Sequence, residues 1–175
     1  MERLWAPWRL SYLTGSTPPE RDQNCFLCLA ARIENLASFS PENLVVATSN
    51  DILVILNRFP YSSGHLLISP KRHVASVEDL NRTESLALMT QLQIATRALR
   101  MAFHPDGFNV GINLGQIAGA GVPGHLHVHI VPRWNGDHNF MPVTGGTRVM
   151  PILLEDSWSK IHAAFMAIRD SEPLA

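Results

Sequence analysis

The chain has 175 residues, with 14 Lys and Arg against 15 Asp and Glu and a net charge of −1. This length suits one domain that buries about 70% of its unfolded surface, and the near-neutral balance excludes a non-specific nucleic-acid or membrane-surface partner. No apolar run approaches the ~20 residues of a membrane span, the start Met1-Glu2-Arg3-Leu4-Trp5 is no secretion signal, and Cys25 and Cys28, the only cysteines, make no disulfide framework, which together predict a cytoplasmic protein.

Residues 1–13 carry Trp5, Trp8 and Tyr12, too many aromatics for a loose tail. They predict an arm packed on its own domain, with a wall for a base or a partner subunit as the alternative. Residues 14–23 read as a loop. Asn24 can cap a helix over about 25–37 that turns Leu29, Ile33 and Leu36 to one face and ends before Pro41. Asn43–Thr48 and Ile52–Asn57, joined by Ser49-Asn50-Asp51, read as a hairpin, and His65–Ser69 as a third strand. Residues 83–103 form the clearest helix, with Leu88, Leu92, Ala95, Leu99 and Ala102 on one face and His104-Pro105 at its end. Phe108–Asn113 makes a fourth strand and residues 135–147 a loop. Pro151 suits the first turn of a last helix whose inner face is Leu154, Trp158, Ile161, Phe165 and Ile168. This order predicts an α+β fold with a mainly antiparallel sheet.

The stretch His125-Leu126-His127-Val128-His129-Ile130-Val131-Pro132-Arg133 stands apart. Strand side chains alternate between faces, so a fifth strand here would put three histidines on one face and Leu126, Val128 and Ile130 on the other. One face can bury while the other lines a site. A neutral imidazole near pH 7 is a good nucleophile once its second nitrogen is held as a donor. His127, flanked on both sides, is placed for that role. Before it, Gly115 to Gly124 holds four glycines in ten residues, freeing backbone N–H groups to cradle phosphate. From Met101 to Pro132 there is no Lys or Arg, so a polyphosphate would be met there by backbone dipoles, histidines and Arg133. Cys25-x-x-Cys28 reads as half of a zinc site needing two further ligands from His, Asp or Glu, as a redox pair, or as two small buried hydrophobes. His65 has no visible partner, and His104, His138 and His162 are scattered.

The alternating histidines, continued by Pro132-Arg133-Trp134 and joined by Met1-Glu2-Arg3-Leu4-Trp5-Ala6-Pro7-Trp8-Arg9 and Cys25-Phe26-Leu27-Cys28, resemble the histidine-triad nucleotide-binding family. The likeness runs from residue 1 to about 151 and is strongest to the bacterial branch grouped with diadenosine tetraphosphate phosphorylases. The resemblance implies one histidine-triad-like domain over 1–175: an aromatic arm and loop at 1–23, a core at 24–151 with a five-stranded sheet and long central helix, and a C-terminal helix at 151–170. It implies a homodimer or higher homo-oligomer with a dinucleoside polyphosphate substrate. His127 would form a nucleotidyl-histidine, with His129 on the phosphate or leaving group and His125 completing the triad. Asn57, Asn113, Gly119, Ala120, Gly121, Val122, His129 and Trp134 would contact the nucleotide. His73 and His125 would complete a structural Cys2His2 zinc site with Cys25 and Cys28, and no organic cofactor is implied. Ala120-Gly121 stands where the hydrolase branch places a glutamine, which weakens the likeness to that branch and leaves room for either phosphate or water as acceptor. Hydrolysis, phosphoramidase activity, a non-catalytic nucleotide-binding module and a zinc hydrolase using the triad as ligands are the rival readings.

Overall fold

The structure, a computed structural model, describes residues 25–33, 35–137 and 149–171. The aromatic arm with Trp5, Trp8 and Tyr12, the cap at Asn24, and His138 lie outside the described residues. The elements run α1 (Phe26–Ala31), β1 (Val45–Thr48), β2 (Ile52–Leu56), β3 (Leu66–Pro70), α2 (Arg82–Phe103), β4 (Gly107–Ile112), β5 (Val128–Arg133) and α3 (Leu154–Ser171). The five strands form one sheet in the order β1-β2-β3-β5-β4, and every neighbouring pair is antiparallel.

Every residue of β2 and β3 is buried, so the middle of the sheet is covered on both faces. The apolar stripe of α2 accounts for much of that cover. Ala95 and Leu99 are buried in the core, and Leu88, Leu92 and Ala102 pack against it. On α3, Trp158, Ile161, Phe165 and Ile168 are buried and Leu154 packs at the margin. Both stripes follow the helical spacing of the sequence.

Three boundaries differ most from expectation. The first helix stops at Ala31, and its buried residues are Leu27, Cys28, Ala30 and Ala31, while Leu29 is half exposed. Packing of Cys28 sets the rotation of this short helix and overrides the wider apolar pattern. The last helix starts at Leu154, leaving Pro151 in a bend before it. The fifth strand starts at Val128, so only His129 of the three histidines lies in the ladder.

Pro70 explains that late start. The β3–β5 ladder ends at Ile68 with Val128, two steps short of Pro70, which has no N–H to extend it. Residues 125–127 are anchored differently. Leu126 N–H donates to the Val74 carbonyl at 2.6 Å, and its own carbonyl accepts Ser69 Oγ at 2.8 Å. Leu126, Val128 and Ile130 are all buried, as the alternation requires.

The two sheet edges are treated differently. A register shift between Val45 and Ala47 marks a bulge in β1. There Trp158 Nε1–H donates to the Val45 carbonyl at 2.8 Å and His162 Nδ1–H to the Val46 carbonyl at 3.0 Å. The two rings stack 4.7 Å apart, so α3 seals this edge and His162 is part of its seam. The other edge, β4, leaves Val110 and Ile112 in solvent.

The loop after β3 is tied to α2. Arg72 donates through Nε and Nη2 to both oxygens of buried Glu84, each at 2.7 Å, and Glu84 also completes a capping box with Asn81. The bond from Arg72 outweighs burial and holds the Glu84 carboxyl at about 2. Its folded pKa lies below the ~4.3 of an unfolded Glu, so this stabilisation is full above that pH and is lost as pH falls toward 2. Because Arg72 is half exposed, Glu84→Gln is expected to cost about 1–2 kcal/mol at pH 7, with the difference gone near pH 2; urea unfolding across pH checks both the size and the sign.

Candidate active site and metal centre

The geometry of the site follows from where polar hydrogens can go. His127 Nδ1 lies 2.7 Å from the carbonyl oxygen of His125. A carbonyl only accepts, so Nδ1 carries the proton and Nε2 keeps its lone pair. His127 is buried, and that burial lowers its pKa despite the opposing pull of the carbonyl. The ring is therefore a neutral imidazole with one nitrogen oriented and the other available to attack.

His129 has the opposite tautomer, and His65 dictates it. Tyr61 N–H donates to His65 Nδ1 at 3.1 Å, and Asn57 Nδ2 lies 3.2 Å from the same atom. With Nδ1 accepting, the neutral His65 ring carries its proton on Nε2. That nitrogen donates to His129 Nδ1 at 2.9 Å, so the His129 proton sits on Nε2. His129 Nε2 is buried and has no hydrogen-bond partner among the described residues. An unpartnered buried donor is costly, and a phosphate oxygen is the kind of acceptor that would relieve it. Burial first, then the neighbouring His127 charge, push the His129 pKa down to about 4. The His127 and His129 rings lie 5.0 Å apart.

His65 was missed as a site residue in the sequence. It is fully buried, and the register brings it to His129: Leu67 pairs with His129, so His65 sits diagonally across on the same face. Its one local signal is a histidine opening an otherwise apolar strand directly after Gly64. That glycine has φ +78°, and an added Cβ would meet the Phe103 ring at 2.7 Å.

A second cluster lies beside the first. Cys25 and Cys28 come from the start of α1, His73 from the loop after β3 and His125 from the segment before β5. Their donor atoms all lie within 4.8 Å of one another. His125 Nδ1 is 3.2 Å from Cys25 Sγ and 3.4 Å from Cys28 Sγ, and His73 Nδ1 is 3.2 Å from Cys28 Sγ. Around a tetrahedral metal with bonds of ~2.3 Å to sulfur and ~2.0 Å to nitrogen, S and N stand about 3.5 Å apart, so the set fits such an ion. His125 Nε2–H donates to the Pro70 carbonyl at 2.8 Å, which turns the Nδ1 lone pair toward the sulfurs and is the usual outer contact of a metal-bound imidazole. These four residues could hold a metal ion. Neither His127 nor His129 joins that cluster, which removes the support for a catalytic zinc bound by the three histidines.

His125 thus serves both clusters, by its side chain toward the cysteines and by its carbonyl toward His127. The common face read from the alternation divides accordingly, with His125 turned to the metal cluster and the other two paired with each other.

The remaining expected residues fall into three groups. Asn113 follows β4, one step beyond the Ile112–Val128 pair, and its Nδ2 donates to the Gly119 carbonyl at 3.3 Å. Asn57 forms a turn, its Oδ1 accepting Phe59 N–H at 3.0 Å, besides meeting His65. In the glycine loop, Gly119 N–H donates to the Gln116 carbonyl and Ala120 N–H to the Gly115 carbonyl. Those two N–H groups are used within the loop, so neither is open for the expected cradle. Trp134 lies elsewhere. It is five residues beyond His129, about 17 Å along an extended strand, and its indole N–H donates to the Phe103 carbonyl at the end of α2. Arg133 is paired with both Asp137 oxygens and with Asn109. Both side chains brace the far end of β5.

Nitrogen NMR of the imidazoles tests this assignment. At pH 7 His127 is expected as the Nδ1–H tautomer and His129 as the Nε2–H tautomer, with His129 staying neutral until the pH approaches about 4. A His129 signal titrating near 6.5 would contradict the relay.

Known proteins resemble this chain in sequence and fold. The family model for the HIT domain matches residues 39–136, a span that includes His65, His73 and all three histidines of the triad. The chain is 44% identical over 158 residues to the AP-4-A phosphorylase of Mycobacterium tuberculosis, covering 90% of this chain and 80% of that protein. It is 37% identical over 82 residues to the asymmetrical bis(5'-nucleosyl)-tetraphosphatase of Schizosaccharomyces pombe, covering 47% of this chain and 44% of that one. A Zn-bound histidine triad family protein from Mycobacterium smegmatis shares the fold with a TM-score of 0.67 at 25% identity, over 87% of this chain and all of that one. Fold, triad and sequence agree: this chain belongs to the histidine-triad, or HIT, family.

Proposed function

We propose that the chain is a nucleotidyltransferase that cleaves dinucleoside polyphosphates, converting diadenosine tetraphosphate and phosphate to ATP and ADP. The observation that carries this reading is the pair of opposite tautomers: a neutral His127 with a free Nε2 lone pair beside a His129 whose Nε2–H has no partner. Kinship with the AP-4-A phosphorylase supports the choice of substrate.

In this mechanism His127 Nε2 attacks the α-phosphorus. A P–N bond forms, the P–O bond to the β-phosphate breaks, and its electron pair leaves on the oxygen of ATP. The His129 Nε2–H steadies that developing negative charge. The His127 ring, still protonated at Nδ1, becomes cationic as the P–N bond forms, and the His125 carbonyl stabilises it. Inorganic phosphate then attacks the same phosphorus; a P–O bond forms, the P–N bond breaks and ADP leaves. Asn113 and Asn57 shape the nucleotide side through the loop and turn they hold.

Water in place of phosphate gives AMP, and one observation favours that second reading. With Gly119 and Ala120 N–H committed within the loop, fewer donors remain to recruit an anionic acceptor. Product analysis decides between them. Added phosphate is expected to accelerate turnover and yield ATP plus ADP; ATP plus AMP at every phosphate concentration would make the enzyme a hydrolase. His127→Ala is expected to lower turnover at least ~10³-fold while retaining binding of a substrate analogue, and turnover within tenfold of the parent would remove His127 as the nucleophile.

Zinc is the metal that suits two thiolates and two imidazoles, and it would act here as a structural tie. Such a thiolate site suits the reducing cytoplasm. No described helix is long and apolar enough to cross a membrane. The exposed β4 edge, with Val110 and Ile112, would pair a second copy into a homodimer. Purified protein is expected to carry about one zinc per chain and to sediment at roughly twice the mass of one chain, with Cys25→Ser losing the metal and part of its thermal stability. Metal analysis near zero on reduced protein would leave the cysteines as packing residues.

A further inference from the structure

The turn between β2 and β3 holds two aromatic rings out of the core. Phe59 is 80% exposed and Tyr61 49%. The turn is stiff. Asn57 Oδ1 accepts Phe59 N–H, Pro60 fixes the next φ, Tyr61 N–H is bound to His65, and Ser62 Oγ donates to the Pro132 carbonyl at 2.7 Å. The exposure of Phe59 is therefore built into the turn, although burying that ring would favour folding.

Tyr61 is the inner ring. It lies 4.8 Å from His65 and stacks on His129 at 6.1 Å with 20° between the planes. His65 is 5.1 Å from His129, and His129 is 5.0 Å from His127. The nucleophile thus stands at one end of a row of rings, the unpartnered His129 donor next to it, and the aromatic turn at the other end. In an in-line displacement the bond to the leaving oxygen lies opposite the new P–N bond, so the departing nucleotide moves away from His127. Past His129, the next ring along the row is Tyr61, on the turn that also exposes Phe59.

We propose that Phe59 and Tyr61 form a shelf on which the base of the departing nucleotide stacks. This makes Phe59 a specificity-determining residue for dinucleotides over AMP donors with small leaving groups. The proposal rests on the nucleotidyl-transfer reading above. A purine offers a flat π face, and stacking on an aromatic ring needs no hydrogen-bond code, which fits a leaving group held only long enough to depart.

The test compares diadenosine tetraphosphate with adenosine 5'-phosphorimidazolide. Both form the same adduct on His127, but the second expels imidazole, which carries no nucleoside. The ratio of the two kcat/KM values is measured for the parent and for Phe59→Ala, Phe59→Leu and Phe59→Trp, with sedimentation of each variant. In Phe59→Ala and Phe59→Leu the ratio is expected to fall about tenfold, mainly through KM for the dinucleotide, and to recover in Phe59→Trp. An unchanged ratio, or recovery by Leu as well as by Trp, overturns the shelf. A changed sedimentation mass with an unchanged ratio overturns it too and assigns Phe59 to a subunit contact. A parent that turns over both compounds with no effect at Phe59 loses the shelf alone; a parent that turns over neither loses the nucleotidyl-transfer reading and the shelf with it.

Discussion

The hydrogen bond from His127 Nδ1 to the carbonyl of His125 is the contact on which the site depends. It exists because His125 and His127 lie outside the sheet ladder. Pro70 has no N–H to offer Leu126, so the β3–β5 ladder ends at Ile68 and Val128, and Ser69 and Val74 anchor Leu126 instead. The His125 carbonyl orients the His127 ring, and the carbonyl of Pro70 orients the His125 side chain.

The same logic extends outward. Each of the four central histidines is held by an atom that can only donate or only accept: a carbonyl for His125 and His127, the backbone N–H of Tyr61 for His65, and through His65 the ring of His129. Tautomers in such a chain are not independent. A change at His65 would propagate to the donor on His129 without touching the nucleophile. Burial supports the arrangement by keeping the His127 and His129 rings neutral at physiological pH, so neither needs to lose a proton before the reaction.

The Cys25-Cys28-His73 cluster and the His127–His129 pair meet at His125, which joins α1, the loop after β3 and the segment leading into β5. Arg72 and Glu84 add a second tie, fastening the loop that bears His73 to the start of α2. The glycine loop is less tightly tied, closing on its own carbonyls and on the bond from Asn113.

Local pattern was enough for the antiparallel α+β fold, because the hairpin, the long α2 stripe and the inner face of α3 are written in periods of two and 3.6 that burial alone enforces. The alternation of His125, His127 and His129 marked the candidate site for the same reason, and Cys25-x-x-Cys28 marked half of a cluster that could hold a metal by spacing within one turn. Tertiary structure decided the rest. That His65 serves His129 depends on β3 lying beside β5 in one register. That Gly119 and Ala120 spend their N–H groups inside the loop depends on how ten residues close on themselves. Trp134, next to the triad in sequence, is carried to the far end of β5 because an extended strand advances about 3.3 Å per residue, so neighbours along the chain become distant in space. Contacts between residues far apart in sequence carry no local period, and they are the contacts that place the protons of His125, through Pro70, and of His129, through His65.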